Sequence, residues 1–203
     1  MFKLMVVTDR KRTARPIIEV VRLALEGGAD AVQLRERDLS DRELNELAAQ
    51  MRTITTEAGA TLIINQRADV AVAAGADGVH LGWRSLGAQD VRKLVGKRCL
   101  IGISCHNALQ LRSAEEVGAD YALLGPVFHT PSKEGLVKAI GPERLKDLVA
   151  AAKIPIIAIG GITTDNAAQA LQAGVGGVAV ISAILAADDP RAAAQALIRS
   201  LGS

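Results

Sequence analysis

Two stretches of the chain set polar groups where an apolar run ends. In Val32-Gln33-Leu34-Arg35-Glu36-Arg37 an amide and two guanidiniums occupy alternate positions. While the backbone stays extended these three share one face, and two cations there call for an anionic ligand or firm carboxylate partners. Glu36, between them, is expected to face away or pair locally. Leu62-Ile63-Ile64 ends on two neutral amides, Asn65 and Gln66, where an enzyme often places carboxylates.

Three later stretches suit an anion. Ala158-Ile159 runs into Gly160-Gly161, where the backbone can approach a ligand closely, and Ala179-Val180 runs into Ile181-Ser182 at the start of a short helical segment. Amides from two such loops, with the positive end of a helix, predict a phosphate site. Between Gly125 and Gly135, Thr130, Ser132 and Lys133 add hydroxyl and ammonium donors for phosphate oxygens.

The elements that must carry these groups alternate along the chain. Eight short apolar runs begin near residues 4, 31, 61, 78, 100, 121, 156 and 177, with longer amphipathic segments between them. Ser40 and Glu43 form a capping box, Thr163 to Asn166 opens a further helix, and Gly118 and Gly174 stand at helix ends. A weak repeat, GGADAVQL, AGADGVHL, VGADYALL and AGVGGVAV, joins a helix end to a strand four times. The reading is α/β: residues 1–203 as one (β/α)₈ TIM barrel domain. The rival, an open doubly wound sheet, would carry a glycine-rich turn after strand one, which ends here in Thr8-Asp9-Arg10. In a barrel the polar strand ends converge at one mouth.

Composition narrows the partners. Twenty-four basic and 22 acidic residues leave a charge of +2, too even to imply nucleic acid or a membrane surface. Four aromatics offer no stacking platform for single strands. No stretch is long and apolar enough to span a bilayer, and the N-terminus shows no signal-peptide pattern, so a cytoplasmic protein is expected. A homo-oligomer is compatible with this composition. Cys99 and Cys105 match neither a disulfide framework nor zinc spacing and read as packed thiols.

Taken in order, VQLRER, LIINQR, GADGVHLG, IGISCHN, GADYALLGPVFHTPSK, IIAIGGIT and GVAVIS resemble the thiamine phosphate synthase/TenI superfamily along nearly the whole chain. The resemblance implies a (β/α)₈ barrel that binds thiazole phosphate against Gly160, Gly161, Ile181 and Ser182. It places Thr130, Ser132 and Lys133 on phosphate oxygens, Gln33 and Arg35 on a pyrimidine side, and Asn65 and Ser104 in the same pocket. The synthases of this superfamily join hydroxymethylpyrimidine pyrophosphate to thiazole phosphate with Mg²⁺. Their two metal carboxylates are matched here by Gln66 and by the segment Trp83-Arg84-Ser85, and a customary lysine by Arg37. Neutral amides and hydroxyls hold Mg²⁺ poorly. On that ground the expected activity is that of the TenI branch, a thiazole tautomerase (an isomerase) that needs no cofactor. It would move protons on a carboxythiazole phosphate through His129 or His106, with Arg35 and Arg37 on the carboxylate. His80 reads as packed and hydrogen-bonded. The alternatives are a thiamine phosphate synthase, a transferase using Mg²⁺ on rearranged ligands such as Asp9 or Glu36, and a non-catalytic thiamine-phosphate-binding regulator.

Overall fold

The computed structural model describes residues 2–82, 85–130 and 138–202. Its strands are β1 (Leu4–Val7), β2 (Ala31–Leu34), β3 (Thr61–Asn65), β4 (Gly78–Leu81), β5 (Leu100–Cys105), β6 (Tyr121–Leu124), β7 (Ile156–Ile159) and β8 (Gly177–Val180). They pair in parallel and in chain order, and β8 returns to β1 to close the barrel. Helices α1 (Ile17–Glu26), α2 (Asp41–Glu57), α3 (Ala68–Ala73), α4 (Ala88–Val95), α5 (Ala108–Glu116), α6 (Pro142–Ala151), α7 (Ala167–Gln172), α8 (Ser182–Leu185) and α9 (Pro190–Leu201) follow the strands. The barrel is the predicted one, and each expected strand ends within a residue of the observed one. Among the described residues no helix is long and apolar enough to cross a membrane.

Both faces of the strands are covered, so each run is apolar throughout rather than alternating with polar residues. Leu4, Val6, Val32, Leu34, Leu62 and Ile64 point outward and pack beneath the helices. Met5, Val7, Ile63, Tyr121, Leu123 and Ile157 point inward and fill the barrel. The inward series continues past the strand ends, which is how the mouth acquires its polar groups.

Local caps set where the helices begin. Ser40 Oγ accepts from the Glu43 N–H, and Glu43 Oε2 accepts from the Ser40 N–H at 2.8 Å, the expected capping box. Gly118 and Gly174 follow α5 and α7 with φ of 80° and 90°, a left-handed conformation that glycine adopts without steric cost.

The helix-to-strand repeat has a function at the opposite end of the barrel. In its first three copies the aspartate accepts an N–H from the first or second residue of the preceding strand. Asp30 takes Leu4 at 2.9 Å, Asp77 takes Leu62 at 2.7 Å and Asp120 takes Ile101 at 2.7 Å. Arg52 holds Asp77 at 2.8 Å and Arg92 holds Asp120 at 2.5 Å. The fourth copy has Gly176 in that place and keeps only the backbone bond to Ile156 O, at 2.8 Å. These carboxylates fasten strand starts that would otherwise leave an unpaired N–H. Asp120→Ala should therefore lower stability by about 1–3 kcal/mol, the penalty for an orphaned donor. Urea unfolding measures it, and an unchanged midpoint would contradict the role.

Candidate active site

The cleft lies at the carboxyl ends of the strands and opens to solvent at the barrel mouth. Gln33, Arg35 and Arg37 form its β2 wall, together as their spacing predicted. The Arg35 N–H donates to Thr8 Oγ1 at 2.8 Å, which locks the turn out of β2 to β1. Glu36 turns away and is buried. Its carboxylate accepts from the Arg10 N–H at 3.0 Å and from Arg10 Nη1 at 3.2 Å. Asp9 is also engaged outside the cleft, capping the short 3₁₀ turn Arg10–Arg12 and pairing with Arg12 at 3.5 Å. The Arg35 and Arg37 guanidiniums hold no carboxylate among the described residues. Burial, and next the charge of Arg37, draw the Arg35 pKa below its ordinary value.

Across the mouth, Asn65 closes β3 and Gln66 leaves it with φ of 66°. A left-handed glutamine costs roughly 1–2 kcal/mol, and such strain persists where surrounding bonds enforce it. The Gln66 N–H donates to His80 O, and the Arg67 N–H to Asn65 O, both at 2.8 Å. Together they turn the amide pair into the cleft, where both side chains line it. Gly82 beside them lacks the Cβ that would approach Gln66 Nε2 to 3.2 Å. The matched segment Trp83-Arg84-Ser85 falls largely outside the described residues. Of it only Ser85 is described, and its hydroxyl accepts from the Gly82 N–H at 2.9 Å.

Beneath the amides lies a chain of hydrogen bonds. His80 is buried between Tyr121 Oη, 3.2 Å from Nδ1, and Ser104 Oγ, 2.8 Å from Nε2. Tyr121 leans over Gly102, where any side chain would collide with its ring. The tyrosine hydroxyl is deep in the barrel and has no other acceptor among the described residues, so it donates to Nδ1. Nε2 then carries the histidine proton and donates to Ser104, whose own proton is left to serve a ligand in the cleft. Burial, with Arg35 next in effect, brings the His80 pKa down to about 3, keeping the ring neutral. His80 is thus the packed histidine its sequence position suggested. Tyr121 was not singled out by motif. The visible signal for it was Gly102, a glycine within a strand.

His106 also lines the cleft. Its Nδ1 bonds to Gly125 O, so Nδ1 donates a proton to that carbonyl. The His129 side chain is exposed and is not among the groups lining the cleft, although its carbonyl packs against Gly161. Cys105 is buried outside the barrel wall, and burial pushes its thiol up to about 12, as befits a packed residue.

At β7 and β8, Gly160 and Gly161 take φ of 96° and 66°. A Cβ on Gly160 would lie 2.6 Å from Pro126, so the close approach requires glycine. Asn166 clamps this loop, accepting from the Thr163 N–H at 2.9 Å and donating to Gly161 O at 2.8 Å. Neither glycine N–H finds an acceptor among the described residues. Gly160, Ile181 and Thr130 line the cleft, and Ser182 heads the short α8 beside them. Ser132 and Lys133 lie outside the described residues.

Fold and mouth together define a (β/α)₈ barrel with amide donors on one side of its cleft and guanidiniums on the other, without hydrogen-bond acceptors or carboxylate partners among the described residues. A family model described as thiamine monophosphate synthase matches residues 4–184, and the chain belongs to that family. It is 48% identical over 192 residues to the thiamine-phosphate synthase of Moorella thermoacetica, covering 95% of this chain and 91% of that one. It is 46% identical over 198 residues to the thiamine-phosphate synthase of Methanoculleus marisnigri, covering 97% and 93%. Among solved structures, the thiamine phosphate pyrophosphorylase of Pyrococcus furiosus superposes with a TM-score of 0.91 at 40% identity, covering 98% of this chain and 95% of that one.

These relatives correct the isomerase expectation. That reading let two neutral positions outweigh the remaining chain, yet close relatives over nearly all of it carry the synthase name. The proton-shuttle roles of His129 and His106 go with it.

The neutral, buried His80 makes stability depend on pH. Its folded pKa lies below the unfolded value near 6.5, so its contribution is complete above that value and is lost as pH falls through 6.5 toward 3. Between pH 7 and 5.5 this amounts to about 1 kcal/mol. Urea unfolding at the two pH values should show the loss in the native chain and a shallower dependence in His80→Gln. Equal slopes would refute it.

Proposed function

We propose that the chain is a thiamine-phosphate synthase, a transferase joining hydroxymethylpyrimidine pyrophosphate to thiazole phosphate. The observation that carries this reading is the pairing of two separate anion-receptive walls in one cleft. Such a pairing suits two phosphorylated substrates held side by side. Identity of 40–48% to relatives so named over nearly the whole chain supports it.

In this reading the unpaired amides of Gly160 and Gly161, with Ile181 and Ser182, receive the thiazole phosphate, aided by Thr130. Ser132 and Lys133 are assigned to the same phosphate by resemblance alone. Gln33, Asn65 and the Ser104 hydroxyl, its proton directed outward by His80, orient the pyrimidine. Arg35 and Arg37 face the pyrophosphate. As the bond from the pyrimidine methylene carbon to oxygen breaks, the pyrophosphate departs with the electron pair and the thiazole takes its place on carbon. Guanidiniums already aimed at that oxygen stabilise the growing charge without reorganising.

Mg²⁺ is the metal that the resemblance attaches to this chemistry. It seeks carboxylate or phosphate oxygens in near-octahedral array. Where β3 and β4 end, the described residues offer amides, a glycine and a serine. No group of three His, Cys, Asp or Glu able to hold a metal occurs among the described residues. The donor set does not fit the ion, and the roles above are assigned without it.

Incubation of the chain with both substrates, in EDTA and in MgCl₂, should yield thiamine phosphate and pyrophosphate in at least one condition. No product in either would overturn the reading. Arg35→Met should lower kcat/KM by about 10²–10³-fold, the usual loss of one preorganised charge-stabilising donor, with the thiazole phosphate KM changed far less.

A further inference from the structure

The ionised groups that line the cleft among the described residues are all of one sign. Arg35 and Arg37 face it, and no aspartate or glutamate does. The two nearest acids are committed elsewhere, Glu36 to Arg10 and Asp9 to the 3₁₀ turn and Arg12. Several arginines away from the cleft are paired. Arg10, Arg52, Arg67 and Arg92 each hold a carboxylate, at 2.5–3.2 Å. A dication entering the mouth would meet two cations and neutral amides, with no protein charge to offset its lost hydration. A polyanion meets the opposite: two guanidiniums free to fork onto phosphate oxygens and a side-chain amide turned inward at Gln66.

We propose that this cleft takes the pyrophosphate end of its substrate as the metal-free anion, on Arg35, Arg37 and the Gln66 amide. The inference rests on the synthase reading for its ligand class, a pyrophosphate ester, and adds that the protein supplies the neutralising charge itself. Gln66 is central because its left-handed backbone aims a donor, rather than a carboxylate, at the same space. The strained turn thereby presents a side chain able to pair with phosphate directly.

Inorganic pyrophosphate is the probe, titrated calorimetrically into the intact chain in EDTA and again in excess MgCl₂. Binding is expected in EDTA, with affinity unchanged or weaker in Mg²⁺, since the metal withdraws free anion. In EDTA, Arg35→Met should weaken binding tenfold or more and the exposed Arg37→Met several-fold. Gln66→Asp should lose EDTA binding tenfold or more and regain it with Mg²⁺. Wild-type binding that requires Mg²⁺, that tightens tenfold with it, or that is missing in both buffers overturns the inference. None of these wild-type outcomes depends on a variant folding. Thiamine phosphate formed only with Mg²⁺ would remove this inference and leave the synthase reading in place. Tight metal-free pyrophosphate binding without turnover would count against the synthase reading and leave the anion site.

Discussion

A closed parallel barrel allows each strand only two directions for its side chains. Outward residues must suit the helices and inward residues must fill the lumen, so every inward series is fixed by the core beneath it. Met5 and Val7 lead to the mouth at β1, Ala31 and Gln33 lead to Arg35 at β2, and Ile63 leads to Asn65 at β3. The mouth is therefore not assembled from independent loops. It is the continuation of a packing pattern already set by apolar residues, and bonds such as His80 to Ser104 and His106 to Gly125 then fix the groups that this pattern brings together.

Much of this was legible because the signals are local. An apolar run of four or five residues, bounded by polar ones, reports a doubly covered strand. The Gly160-Gly161 and Ser40-to-Glu43 patterns report geometry within a few residues of themselves. What local reading missed depends on pairs far apart in the chain. Asp30 and Leu4 are 26 residues apart, and Asp120 and Ile101 are 19 apart, so the repeated aspartate looked like a turn residue rather than a strand fastener. Tyr121 finds its place through Gly102 and its polarity through His80, and neither relation follows from periodicity.

The misreading of activity had another origin. The neutral Gln66 in the cleft bears on how charge is met there, not on which reaction occurs. Charge compensation and reaction identity are separable: arginines can do for a leaving anion much of what a metal would do. His129 illustrates the companion error, for a histidine in the right loop is not thereby directed into the site. The backbone of that loop packs against Gly161 while the ring stays exposed.

Tyr121 has a consequence beyond its hydroxyl. Its ring meets Phe2 edge-on at 5.4 Å, and with Met5, Ile63 and Ile157 it fills the lumen from wall to wall. The barrel is thus a cup and not a tube. Whatever enters must leave by the rim it came in through, and of two ligands taken in succession, the deeper waits for the shallower to go. Traffic order is in this way written into a floor of apolar side chains that carries no charge.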